Sequence, residues 1–209
     1  MTVSSPPDSP TIKRPEVRTV LRQATHEHHS QLNRHPMLAG LTQPDYAISD
    51  YQKLLCAYSI LYQALEKQIM SFLGANVANF DYQPRLKLPW LRQDLAYFQI
   101  VSETPSHALT PANIKNLGEL IGMLYVIEGS TLGGQLISKH LANNLGLTAE
   151  TGGRFFCGYA EKTTAFWTDF LDFAANLDGN ESECLAAKNS ACQTFQLFLQ
   201  TLDDFSACI

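Results

Sequence analysis

The stretch YVIEGSTLGG, Tyr125 to Gly134, places Gly129, Gly133 and Gly134 within six positions of a segment, Ala112 to Asn144, that otherwise reads as one apolar helix. Projecting the helix from Lys115 to Asn143 at about 100° per residue puts Gly118, Gly122, Gly129 and Gly133 in one narrow stripe. Each glycine in a helix interior costs about 0.5–1 kcal/mol relative to alanine, so the four together forgo roughly 2–4 kcal/mol. Bare backbone must therefore be used for something. Either a second helix packs closely through these small residues, or a flat, bulky ligand lies against the backbone, with Gly133-Gly134 letting the helix bend over it.

The flanks are helical as well. From Glu16 to Arg34 the apolar Val17, Val20, Leu21, Ala24 and Leu32 recur at the helical period, and Pro36 stops the run. TQPDYAISDYQKLLCAYSILYQALEKQIMSFLG follows as a long amphipathic helix, with Tyr51, Leu55, Tyr58, Leu61, Tyr62 and Leu65 on one face and Gly74 as its stop. LPWLRQDLAYFQIV reads as a shorter helix opened by Pro89, and Pro105 and Pro111 frame a loop before the glycine-bearing segment. After the glycine-rich connection GLTAETGGRFFCGY, two further segments, AEKTTAFWTDFLDFAANL and ESECLAAKNSACQTFQLFLQTLDDF, are helical by period. No strand alternation and no internal repeat appears, so the class is all-α.

Composition bounds the function. The 209 residues are 45% hydrophobic, enough for one core and one domain over 15–209, with a loose Pro- and Ser-rich segment over 1–14. A net charge of -5 with no Lys/Arg run argues against nucleic acid as a partner. Neither a secretory leader nor a run of about eighteen apolar residues stands out, so no membrane span and a cytoplasmic, soluble protein are expected. The five cysteines, Cys56, Cys157, Cys184, Cys192 and Cys208, form no C-x-x-C pair and read as reduced, mostly buried thiols.

A flat ligand of the size the stripe offers suggests haem, which needs an axial ligand. ATHEHHSQLN supplies His26, His28 and His29. His28 falls in the middle of the first helix's apolar stripe, His29 on its edge beside Thr25 and Leu32, and His26 points away. Periodicity alone makes His28 the inward residue. A pocket wall, however, is an edge rather than a core centre, which favours His29. His35, His107 and His140 carry no assigned chemistry.

Two separated segments together resemble the haem oxygenase family. LRQATHEHHSQL is similar to its first-helix motif, in which an Ala-Thr pair precedes the iron-binding histidine five residues after the alanine, here from Ala24 to His29. YVIEGSTLGGQLI resembles the distal helix of its bacterial, phytochrome-associated branch, and YQKLLCAYSILYQALE and LPWLRQDL resemble its second and third helical segments. The resemblance runs from Val17 to about Leu145. It implies haem held between the first helix and a glycine-kinked distal helix, and oxidative opening of haem at a meso carbon. The products would be biliverdin, carbon monoxide and free iron. Dioxygen would be consumed, with electrons from a separate donor such as ferredoxin and its reductase, since the chain has no G-x-G-x-x-G fingerprint. A bacteriophytochrome would be the biliverdin acceptor.

On this reading His29 binds iron, Thr25 stands beside it, and Gly129, Gly133 and Gly134 bring bare backbone to the porphyrin, which directs oxidation onto the ring itself. Two departures from the family pattern stand out. Ser130 replaces the distal aspartate of the animal members, so a hydroxyl would orient water there. From Ala160 onward the only basic residues are Lys162 and Lys188, which leaves Arg22 as the best propionate anchor, helped by Tyr125 and Lys139. Glu128, on another face, is expected to make a structural ion pair. A non-enzymatic haem carrier would keep His29 and the apolar slot. A carboxylate-metal enzyme would need facing Glu-x-x-His pairs that are not found, and a purely structural interaction protein would need none of these groups.

Overall fold

In the computed structural model, which describes residues 16–75, 78–101 and 111–206, every regular element is helical. The segment 1–14, Pro105, His107 and Cys208 lie outside the described residues. Helix α1 is Val17–Arg34. It ends because His35 precedes Pro36 and is extended, at φ -61° and ψ 132°, and Pro36 then opens the short α2, Pro36–Ala39, from its first position. Helix α3, Ile48–Ala75, buries Tyr51, Leu54, Leu55, Tyr58, Leu61, Tyr62 and Leu65, the face expected from the period. Helix α4, Leu88–Tyr97, carries Pro89 in its first turn. It stops short of the QIV run because Gln99 turns left-handed, at φ 56°.

Helix α5, Leu117–Leu145, runs unbroken through Gly129, Gly133 and Gly134. Its start is a reciprocal cap: Asn116 accepts the Glu119 N–H at 2.8 Å, and Glu119 accepts the Lys115 N–H at 2.7 Å. Gly146 closes it with φ 68°, a conformation only glycine adopts readily. Three further helices follow: α6, Arg154–Cys157; α7, Thr163–Ala174; and α8, Glu181–Ser206. By length and composition alone α5 is long and apolar enough to cross a membrane, at a mean hydropathy of 1.3, but half of that window is buried inside the protein. Leu120, Ile121, Leu124 and Ile127 are completely enclosed, so its apolarity goes into the core.

Helix α8 organises the rest. Along α5, the Gly118 N–H donates to the Glu183 carboxylate at 2.5 Å, and Gly122 lies on the Ala187 carbonyl. Contacts advance together, so the two helices run in the same direction. Along α1, Cys192 Sγ lies 3.6 Å from the Ala24 carbonyl, Phe195 meets the rings of His28 and His29, and His35 Nε2 is 3.2 Å from Asp203. That pair runs in the same direction too. Helices α1 and α5 thus flank α8 at matching heights. The thiols differ from the sequence expectation: Cys56, Cys157, Cys184 and Cys192 are free but only half-buried. Burial still raises the thiols of Cys56, Cys184 and Cys192 above their ordinary value, which favours the protonated form.

Candidate active site

The glycine stripe splits into two halves with different uses. A side chain on Gly118 would overlap the Glu183 carbonyl, and one on Gly122 the Ala187 carbonyl, so both are seats for α8 backbone. Of the two uses the stripe left open, close helix packing is the one that applies to Gly118 and Gly122. Gly134 sits over the Phe156 carbonyl, where a Cβ would come within 3.1 Å, and so packs on α6 instead. Gly129 and Gly133 are different. A Cβ on Gly129 would touch Trp167 of α7 at 3.7 Å, and one on Gly133 would meet nothing within 4 Å. In this second half no α8 atom lies within 4 Å of the Cβ positions, and the backbone is open at Gly133 and bordered by Trp167 at Gly129.

The α1 histidines lie at the same height. Extending the contacts of Gly118 and Gly122 along α8 brings Gly129 level with Thr194, and His29 stands edge-on to the next residue, Phe195, with ring centroids 6.1 Å apart. His29 is exposed, with Asn33 Nδ2 3.3 Å from its Nδ1, which leaves Nε2 as the free ligand atom. His28 is half-buried, and its Nδ1 is enclosed without a hydrogen-bond partner. His26 is exposed, as its azimuth requires. Asn33 escaped the sequence reading, although a residue four positions beyond His29 is the one able to reach its ring.

Where α1 and α5 approach each other, Thr25, Arg22 and Tyr125 come together. Burial raises the Tyr125 phenol, and the Thr25 hydroxyl, Arg22 and Arg18 partly offset that rise. Arg22 itself is exposed. Lys139 is not part of this group, since about 21 Å of helix separates it from Tyr125.

On the α5 side, the Ser130 hydroxyl donates to the Ile127 carbonyl at 2.8 Å and lies 3.4 Å from the Tyr62 hydroxyl. Tyr62 is fixed edge-on between Phe155 and Phe198, at 5.3 and 5.8 Å. Burial pushes its phenol well up, so it stays protonated and able to donate. In the sequence Tyr62 was only one apolar-face residue among several. Glu128 does make the buried ion pair expected of it, with Arg85 and Lys87. Among the described residues no group of three or more His, Cys, Asp and Glu side chains is placed to hold a metal ion.

An all-helical bundle in which a histidine on one helix and open glycine backbone on another meet the same height of a third has the layout of a helical haem protein. The Heme oxygenase family model matches residues 16–204, and the chain belongs to that family. A "Heme oxygenase" of Xanthomonas campestris pv. campestris (strain 8004) is 33% identical over 105 residues, which is 50% of this chain and 61% of that relative. Among solved structures, the fold is similar to that of heme oxygenase from Neisseria meningitidis, with a TM-score of 0.76, 21% identity and 91% and 92% of the two chains covered. It is also similar to heme oxygenase from Leptospira interrogans, at 0.74, 18%, 91% and 100%. A heme oxygenase-1 from the cyanobacterium Synechocystis, solved in complex with heme, gives 0.66, 17%, 92% and 93%.

Proposed function

We propose that this protein binds haem between α1 and α5 and opens it oxidatively to biliverdin, carbon monoxide and iron. The observation that carries the proposal is the coincidence of exposed His29 with the open backbone of Gly129 and Gly133 at one height of α8. The residues present fit the group: an exposed imidazole on α1 with Nδ1 beside Asn33 and Nε2 free to bind a metal, and bare α5 backbone with open space at Gly133.

Haem, when bound, supplies both the iron that activates dioxygen and the ring that is attacked. His29 Nε2 would hold the iron, and Asn33, beside Nδ1, would fix the ring orientation. Gly129 and Gly133 would give a bound haem bare α5 backbone to lie against. The haem would supply the oxidation chemistry, and this backbone would favour its action on the ring itself. Tyr62 donates toward Ser130, and the two hydroxyls orient a water that delivers protons, the task an aspartate performs elsewhere in the family. Arg22, with Tyr125 and Thr25 beside it, holds a propionate by charge-assisted hydrogen bonds.

Electrons come from a separate donor of the ferredoxin type, the protein works in the cytoplasm, and a phytochrome-like photoreceptor takes the biliverdin. Titration with hemin should give a histidine-ligated Soret band. Adding ascorbate, or ferredoxin with its reductase, in air should then convert it to a verdin and biliverdin spectrum. A Soret band that survives reduction in air would make the protein a carrier instead. Supplying an apo-phytochrome to the product should yield a photochromic holoprotein.

A further inference from the structure

Arg85 and Lys87 are buried in the protein, and so is Glu128, the carboxylate that both of them meet. Glu128, the residue before Gly129, accepts from Lys87 Nζ, from Arg85 Nη1 at 2.8 Å and from the Tyr159 hydroxyl at 3.0 Å. Arg85 Nη1 also donates to the Phe166 carbonyl at 3.0 Å, and Arg85 Nη2 lies 3.8 Å from Asp169. Phe166 and Asp169 bracket Trp167, whose ring is what a Cβ on Gly129 would touch. One guanidinium therefore grips both sides of the gap between Gly129 and Trp167. The segment carrying Arg85 and Lys87 is itself fixed to α3, because Glu66 accepts the Lys87 N–H at 2.5 Å and the Leu88 N–H at 3.3 Å.

Packing alone does not call for these charges. Well-packed apolar residues commonly replace a buried ion pair with no loss of stability, so what the charges add is a defined geometry. Helix α7 also presents an indole and no cation at this edge of the slot, since Lys162 and Lys188 are the only basic residues after Ala160. The rotation of a ligand in the slot is then limited on this side by shape.

We propose that Arg85 and Glu128 are positioning residues that fix the gap between Gly129 and Trp167, and that Trp167 thereby determines which meso carbon of haem is presented for attack. The proposal rests on the haem reading of the slot.

The test uses Arg85→Lys and Trp167→Phe in a Trp90→Phe background, which leaves Trp167 as the sole tryptophan of the parent. Lysine keeps a cation beside Glu128 but cannot reach the Phe166 carbonyl at the same time. In the haem-free protein, Arg85→Lys should shift the Trp167 emission to the red. In turnover, both variants should add a second biliverdin isomer to the parent's product. Loss of stability alone lowers the yield without moving the isomer ratio, so the ratio separates positioning from folding. An unchanged isomer ratio in both variants, or an unshifted Trp167 emission in Arg85→Lys, overturns this inference alone. A parent protein that binds no hemin overturns the haem reading, and this inference falls with it.

Discussion

Alanine at Gly122 and alanine at Gly133 make the same chemical change on the same face of α5, yet they should act in opposite directions. At Gly122 the new methyl would overlap the Ala187 carbonyl and lie 2.8 Å from the Ser190 Cβ. That carbonyl belongs to helix α8 and cannot turn aside without disturbing the helix. Overpacking of this kind costs about 1–3 kcal/mol, against about 0.5–1 kcal/mol gained in helix propensity. The net is a loss of up to about 2.5 kcal/mol. At Gly133 no atom lies within 4 Å of the methyl, so only the propensity gain of about 0.5–1 kcal/mol remains. For a domain of this size that raises Tm by about 1–4 °C. Thermal and urea unfolding of the haem-free variants measures both signs. Hemin titration and turnover then measure function: Gly133→Ala should lose ring opening although it is more stable, and Gly122→Ala should keep it per folded molecule. A destabilised Gly133→Ala, or one with an unchanged biliverdin yield, would refute the assignment of the open half of the stripe. A Gly122→Ala of parental stability would refute the packing half.

His29→Ala should abolish the histidine-ligated hemin spectrum with little change in unfolding, since the ring is exposed; His28→Ala should keep the spectrum and lose about 1 kcal/mol of stability. The reverse pattern in the absorbance titration would transfer the iron to His28. Tyr62→Phe keeps the ring between Phe155 and Phe198 and removes the donor to Ser130, so single-turnover ring opening should slow by roughly 100-fold with hemin affinity unchanged; an unaltered rate places the proton path elsewhere. Burial lifts the Asp94 carboxyl to about 6, although the Phe155 and Arg154 N–H groups and the Arg154 charge pull it down. The folded state therefore holds that proton more tightly than the unfolded chain does. The resulting stability is complete below about pH 3.8 and is lost as the pH rises through about 6. Urea midpoints of the parent should fall over this window relative to Asp94→Asn, and parallel curves would show that Asp94 does not titrate there.

Much of the fold was legible because it depends on local rules. Pro36 ends α1 at the residue before it, and the buried face of α3 follows its period; the caps Asn116 and Gly146 shift α5 from the expected Ala112–Asn144 to Leu117–Leu145. Glu128 was legible as an off-stripe charge that needs a partner. The partners were not, because Arg85 and Lys87 sit in and just after a short 3-10 turn outside any helical period, and nothing local marks a cation for burial. Tyr62 was hidden for a related reason: its azimuth is that of a core residue, and only its height on α3 puts its hydroxyl beside Ser130.

The division of the glycine stripe exposes the physical limit of such a reading. Periodicity gives the direction in which a residue points, and Gly118, Gly122, Gly129 and Gly133 do point the same way. What differs among them is whether another helix is there. That depends on where α8 parts from α5, a property of three helices jointly. Near Ala187 the α8 face is made of small side chains, and α5 settles on its backbone; at Phe195 and Phe198 the face carries rings that need room of their own. Those rings contact His29 on one side and Tyr62 on the other. The change from small to aromatic residues along α8 therefore coincides with the height where α1 carries His29 and α5 carries bare backbone, which is where the proposed haem site would take its floor from Phe195 and Phe198.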